Sequence, residues 1–189
     1  MLTRMFALAT VALGGAILAK KFAQSRHGAP GTRRVTEEID VSLPVRSVYD
    51  QWTQFEEFPR FMQSVHEVRQ LDDSHLHWEA DVFGRRIEWD AEITEQTPDR
   101  KIAWRSTSGR RNDGVVTFRS LSPTQTRVTL ELSCEPEGAV EHIGEAMGAV
   151  RSELRDNLQR FKEQLEQRGQ ETGAWRGAIN GNSENHRPL

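Results

Sequence analysis

His75 and His77 stand two residues apart in a stretch rich in carboxylates, a spacing that puts both imidazoles on one face of a strand. With further ligands they would hold a metal ion, but no third ligand recurs at a usable spacing. The segment therefore reads as a solvated strand surface, and no metal is assigned. Proton-transfer chemistry has Glu37, Glu95, Ser106, Ser120, Tyr49 and His142 to draw on. No two of them form the close acid–base or nucleophile–base pair that such chemistry requires, so no catalytic residue is assigned. Cys134, the single cysteine, permits no internal disulfide and no Cys-rich zinc site. The turn run Arg110, Arg111 and Asn112 has two readings, turn chemistry alone or a polar rim for a ligand's head group.

Composition narrows the partners. The chain has 189 residues, 36% hydrophobic and 28% charged, with a net charge of −3, the profile of one globular domain with appendages. Residues 1–34 hold six basic side chains and no acid, leaving 19 of the 25 basic residues to face all 28 acidic ones, a net of −9. A body so acidic repels phosphates, and nucleic acid is excluded as a partner. No composition or motif signal calls for a cofactor.

Residues 5–19 carry no charge, and with Lys20 and Lys21 snorkelling they approach bilayer length. Their length also suits the apolar region of a signal peptide. The best cleavage candidate, Ile17-Leu18-Ala19, has a bulky residue at −3 and two lysines after it, which favours an uncleaved anchor over residues 1–22. Five of the six basic residues follow the segment, so the expectation is a single-pass membrane protein with its domain facing the cytoplasm. Residues 23–34, with Gly28, Pro30 and Gly31, read as a linker.

From residue 35 the apolar period is two: Val35, Ile39, Val41 and Leu43 share one parity. Pro44 then opens a segment of helical spacing, interrupted at Pro59, that predicts two short helices. Alternation resumes after Ser64 and runs through six further strands to Cys134, with turns at Gly84, at TPDR, at TSGRRNDG and at SPTQ. From Ala139 the period becomes 3.6, through Val140, Ile143, Met147, Val150, Leu154, Leu158, Phe161 and Leu165. Gly169 stops this helix, and residues 169–189 are expected to be a flexible tail.

The inward strand parity supplies Trp78, Trp89, Trp104 and Phe118, and the helix stripe supplies Val140, Ile143, Met147 and Val150. Two readings stand side by side: a filled core, or the wall of a cavity for an apolar ligand. Indoles carry an N–H that needs a partner when buried, which a cavity edge or a ligand would provide.

The order strand, two short helices, six antiparallel strands and a long helix resembles the helix-grip fold. By the segments LPVRSVYDQWTQFEEFPRFM, HWEADVFGRRIEWDAEITEQTPDRKIAWRS, GRRNDGVVTF and TRVTLEL, residues 35–168 resemble the START-like SRPBCC superfamily. Within it, the similarity is to the polyketide cyclase/dehydrase and coenzyme Q-binding group. The resemblance implies an α+β domain in which a curved seven-stranded antiparallel sheet grips the C-terminal helix around a ligand cavity. It also implies a hydrophobic small molecule as partner, be it lipid, isoprenoid quinone or polyketide. The expected function is a membrane-tethered binding or carrier domain; the alternative is an aromatic polyketide cyclase or dehydratase.

Overall fold

The computed structural model describes residues 33–82, 84–109, 111–134 and 143–181. Strand β1 (Arg33–Val41) buries Val35 and Val41 on the predicted parity. Pro44, with φ −57°, turns the chain into helix α1 (Val45–Trp52), whose Val48, Tyr49 and Trp52 are buried. A 3-10 helix (Phe55–Arg60) follows, short and carrying Pro59, as the poorer hydrogen bonding of that geometry allows. Strands β2 (Val65–Gln70), β3 (His75–Val82), β4 (Arg85–Thr97), β5 (Lys101–Ser106), β6 (Asn112–Ser122) and β7 (Gln125–Cys134) form a meander. Helix α2 (Ile143–Arg168) ends at Gly169, which takes the left-handed φ of +74° that a glycine cap adopts without strain.

All neighbours in the sheet are antiparallel, in the order β1-β7-β6-β5-β4-β3-β2. The first two strands therefore lie on opposite edges, and α1 and the 3-10 helix carry the chain between them. Register shifts at Val65/Glu67, Ile93/Glu95 and Ser120/Ser122 add twist where the strands curl. The result is the expected helix-grip sheet of seven strands, concave toward α2.

Helix α2 is bound firmly along β1. Arg151 and Arg155 lie 3.4 and 3.1 Å from Glu37, Lys162 donates to the Asp40 carbonyl at 2.8 Å, and the Ser42 amide donates to Glu166 at 2.6 Å. Arg127 forks onto Asp40 at 2.7 and 2.8 Å, and this hydrogen bonding holds the Asp40 carboxyl below the usual aspartate range. Burial falls along α2 from its C-terminal half, where Leu158, Phe161 and Leu165 are at most 2% exposed, toward half-buried Met147 and Val150 and exposed Gly144 and Gly148.

Two boundaries differ from the sequence reading. Arg33 and Arg34, assigned to the linker, belong to β1, because Cys134 and Ser133 of β7 extend far enough to pair with them. Residues 172–179, assigned to a flexible tail, are tied down by polar bonds that no hydrophobic pattern reveals. The Thr172 and Trp175 amides donate to Gln51 Oε1 and Thr53 Oγ1, both at 3.0 Å. Ile179 pairs with Gln96 on the length of β4 that outruns β3. Arg176 bridges Asp50 and Asp99 at 2.6 and 2.7 Å, and its guanidinium lies 5.6 Å from the Tyr49 ring centroid. The expected anchor over residues 1–22 and most of the linker lie outside the described residues.

Asp50 is 1% exposed, so its charge depends on these partners. Arg176→Ala is expected to lower stability by about 2 kcal/mol. That is less than the roughly 3–5 kcal/mol for breaking a wholly buried pair, because Arg46 remains as a second cation. Ending the chain after Gly169 should cost at least as much, and thermal unfolding of the two variants measures both.

Candidate functional site

The inward faces of β3, β4 and β5 meet the N-terminal half of α2 across a gap. Its walls enclose a cavity of about 170 Å³. Trp78 and Trp89 are direct cross-strand partners, and their indoles stack with centroids 5.6 Å apart and planes 10° from parallel. Phe58 closes onto Trp78 edge-to-face at 5.7 Å. Leu76, Ile93, Ile102 and Leu130 complete the sheet side, while Met147, Val150 and Leu154 form the helix side.

Trp104 depends on a missing side chain. It pairs with Gly114 of β6, and a Cβ at that glycine would lie 2.2 Å from Trp104 Cζ2. The indole therefore lies flat across the backbone of β6 and takes its place in the cavity wall. A few polar groups interrupt this lining: Ser64 donates to Glu153 across the gap between β2 and α2, Arg111 and Asn112 lie at the start of β6, and Asn157 lies on the helix.

Of the residues that strand parity and helix spacing singled out, the structure brings Trp78, Trp89, Trp104, Met147 and Val150 together around the cavity. Phe118 faces the same side but does not line it. Its ring is taken up by edge contacts with Tyr49 at 5.4 Å and with Trp52 at 6.1 Å, and of these two only Trp52 reaches the lining. Val140 and the side chain of Ile143 lie outside what is described. Asn157 falls at the helical interval between Leu154 and Phe161, but a polar side chain leaves no mark in an apolar stripe, and the sequence alone does not point to it.

Among the described residues, the candidate acid–base groups Glu37, Glu95, Ser106, Ser120 and Tyr49 do not line the cavity. Glu37 is held by two arginines, Glu95 pairs with Lys101 at 2.6 Å, and Ser106 bonds within the β5–β6 turn. Tyr49 is wholly buried with its hydroxyl accepting from Gln96 at 2.9 Å, and burial pushes its pKa up. Ser120 donates to the Ser122 carbonyl, and His142 is outside the described residues. On the outer face His75 pairs with Asp72 at 2.9 Å. His77 pairs separately with Asp90 at 2.8 Å, so the two imidazoles do not converge. The bond from His77 holds the Asp90 carboxyl low; backbone N–H groups from the Ser74 turn bring Asp72 down to about 2.

Comparison with known proteins places this geometry. The family described as polyketide cyclase / dehydrase and lipid transport matches residues 41–163. An uncharacterised 17.2 kDa protein of Streptomyces lincolnensis is 45% identical over 147 residues, covering 77% of this chain and 98% of its own length. Among solved structures, a Deinococcus radiodurans protein superposes with a TM-score of 0.57 at 28% identity, over 71% of this chain and 98% of its own. An aromatase/cyclase from Streptomyces sp. R1128 superposes with a TM-score of 0.61 at 15% identity, over 76% and 99% respectively. That likeness concerns the fold alone.

The Trp104–Gly114 fit makes a prediction. Gly114→Ala should destabilise by about 1–3 kcal/mol, the usual range for overpacking, and combining it with Trp104→Ala should recover most of that loss. Chemical denaturation of the two single variants and the double variant reads the coupling directly.

Proposed function

The chain belongs to the polyketide cyclase/dehydrase and lipid transport family, and on that premise we propose that it binds and carries one hydrophobic small molecule in the cavity between sheet and helix. The observation that carries this reading is the cavity's composition. Three indoles and a set of aliphatic side chains face one another, and the strand-end groups that would serve a cyclase as acid or base are committed elsewhere. A site of this kind favours its ligand by removing apolar area from water, at about 25 cal/mol per Å². Lipid, isoprenoid quinone and polyketide all have the apolar surface for it.

The proposal extends to the position of the domain. The charge-free run over residues 5–19, followed by five basic residues, supports a tether that leaves the domain facing the cytoplasm. Among the described residues no helix is long and apolar enough to cross a membrane, so the tether rests on sequence.

Full-length protein released in detergent is expected to carry a noncovalent apolar molecule in native mass spectrometry, and to bind the fluorescent probe N-phenyl-1-naphthylamine. Trp89→Ala or Trp104→Ala should change probe affinity about fivefold or more. Glu37→Gln, Glu95→Gln and Tyr49→Phe should leave it within about threefold, as one net hydrogen bond contributes only about 1 kcal/mol. Turnover of a polyketide that disappears in one of those three polar variants, with affinity kept, would establish the cyclase instead. Deleting residues 1–22 should move the protein from the membrane to the supernatant fraction; unchanged partitioning would remove the tether.

A further inference from the structure

Asn157 lies on the buried face of α2, is 6% exposed, and lines the cavity. Its Oδ1 accepts from Arg160 Nη1 at 3.1 Å, and the same Nη1 reaches the Phe61 carbonyl at 3.5 Å, which holds the guanidinium in place. A guanidinium only donates, so this bond sets the orientation of the amide: the oxygen is engaged and Nδ2 is left with both of its N–H groups. Among the described residues nothing accepts from Nδ2. The same cavity wall contains a second donor without a partner, the buried Nε1 of Trp78.

Both orphaned groups are donors, and neither is where an apolar ligand alone would leave it satisfied. The N–H of Trp78 is buried without an acceptor, which costs free energy, and Asn157 in the same largely apolar lining has Nδ2 unpartnered, so the cavity is matched to an acceptor arriving with its occupant. We infer that the ligand carries a neutral carbonyl oxygen on an apolar body, and that Asn157 is the specificity-determining donor to that oxygen. This rests on the binding function proposed above and narrows its ligand from hydrophobic molecules at large to oxygenated ones. Flat quinones or aromatic ketones and acyl esters share that chemistry.

Two matched pairs of probes test it, with affinity for the full-length protein measured by displacement of N-phenyl-1-naphthylamine. The ring pair is 2-methyl-1,4-naphthoquinone with 2-methylnaphthalene; the chain pair is methyl laurate with tridecane. In whichever pair binds, the oxygenated member is expected to bind about tenfold tighter, and the pair that binds identifies the ligand's body. Asn157→Leu should erase the preference while leaving hydrocarbon affinity in place. Asn157→Asp keeps an acceptor for Arg160 but removes both donors, and should erase it too. In the unaltered protein, the Asn157 side-chain amide signals in a ¹H–¹⁵N spectrum should move with the oxygenated probe and not with the hydrocarbon. Equal affinities within a pair, or a preference that survives both substitutions, would overturn the role of Asn157 and leave the binding function standing. Failure of all four probes to displace bound N-phenyl-1-naphthylamine would overturn this inference and leave the binding function standing, whereas failure of N-phenyl-1-naphthylamine itself to bind would remove both.

Discussion

The structure depends on where helix α2 is fastened. Phe161 meets Trp52 at 4.9 Å and Phe61 at 5.3 Å, both edge-to-face, and Phe58 joins the same cluster through Trp52 at 5.6 Å and Phe61 at 5.1 Å. Four rings from α1, the 3-10 helix, the turn after it and α2 thus fill the closed end of the grip. Such contacts add roughly 0.5–1.5 kcal/mol each beyond the area they bury, and the cluster pins one half of the helix against the sheet. The other half cannot close down equally, because the sheet curls away beneath it and bulky indoles stand on β3, β4 and β5. A cavity is the geometric consequence of a helix fastened at one end to a concave surface.

That constraint explains how polar and apolar interactions divide the work. The aromatic cluster and the aliphatic residues around it provide the burial, while ion pairs on the rim set the helix's position along β1. Glu37 is the clearest case. It shares the inward parity of Val35, Ile39 and Val41, yet its carboxylate is covered by Arg151 and Arg155 and serves as a fastening point. A carboxylate so engaged is poorly placed to exchange protons with a ligand, and the same holds for Glu95 with Lys101. The pattern favours a site that discriminates by shape and by a few directed hydrogen bonds.

The C-terminal segment extends the principle to the polar residues at the end of α1 that flank Trp52. Asp50, Gln51, Thr53 and Gln96 are buried polar residues, which is costly unless each has partners. Thr172, Trp175, Arg176 and Ile179 supply them, partly through side chains and partly through backbone. The segment behaves as a structural strap: it completes the hydrogen bonding of α1 and covers the free edge of β4.

Local periodicity determined the elements. Alternation marked the strands other than β2, whose buried Val65 and Val68 stand three apart across a register shift; the change to a 3.6-residue period marked α2, and strand parity separated the tryptophan face from the face bearing His75, His77 and Asp90. These features are legible because side-chain direction follows from backbone geometry over a few residues. Tertiary structure alone decided the rest. An inward row of apolar residues reads the same whether the space before it is filled or hollow; only the placement of α2 made Trp78, Trp89 and Trp104 a cavity wall and Phe118 a core residue. The slot for Trp104 depends on Gly114 in the neighbouring strand, and the role of Arg176 depends on Asp50, 126 residues away in sequence. Asn157 had the right helical interval, but its meaning depends on which of its atoms Arg160 occupies. Polar partnerships across such separations leave no period in the sequence, because their geometry exists only once the chain has folded.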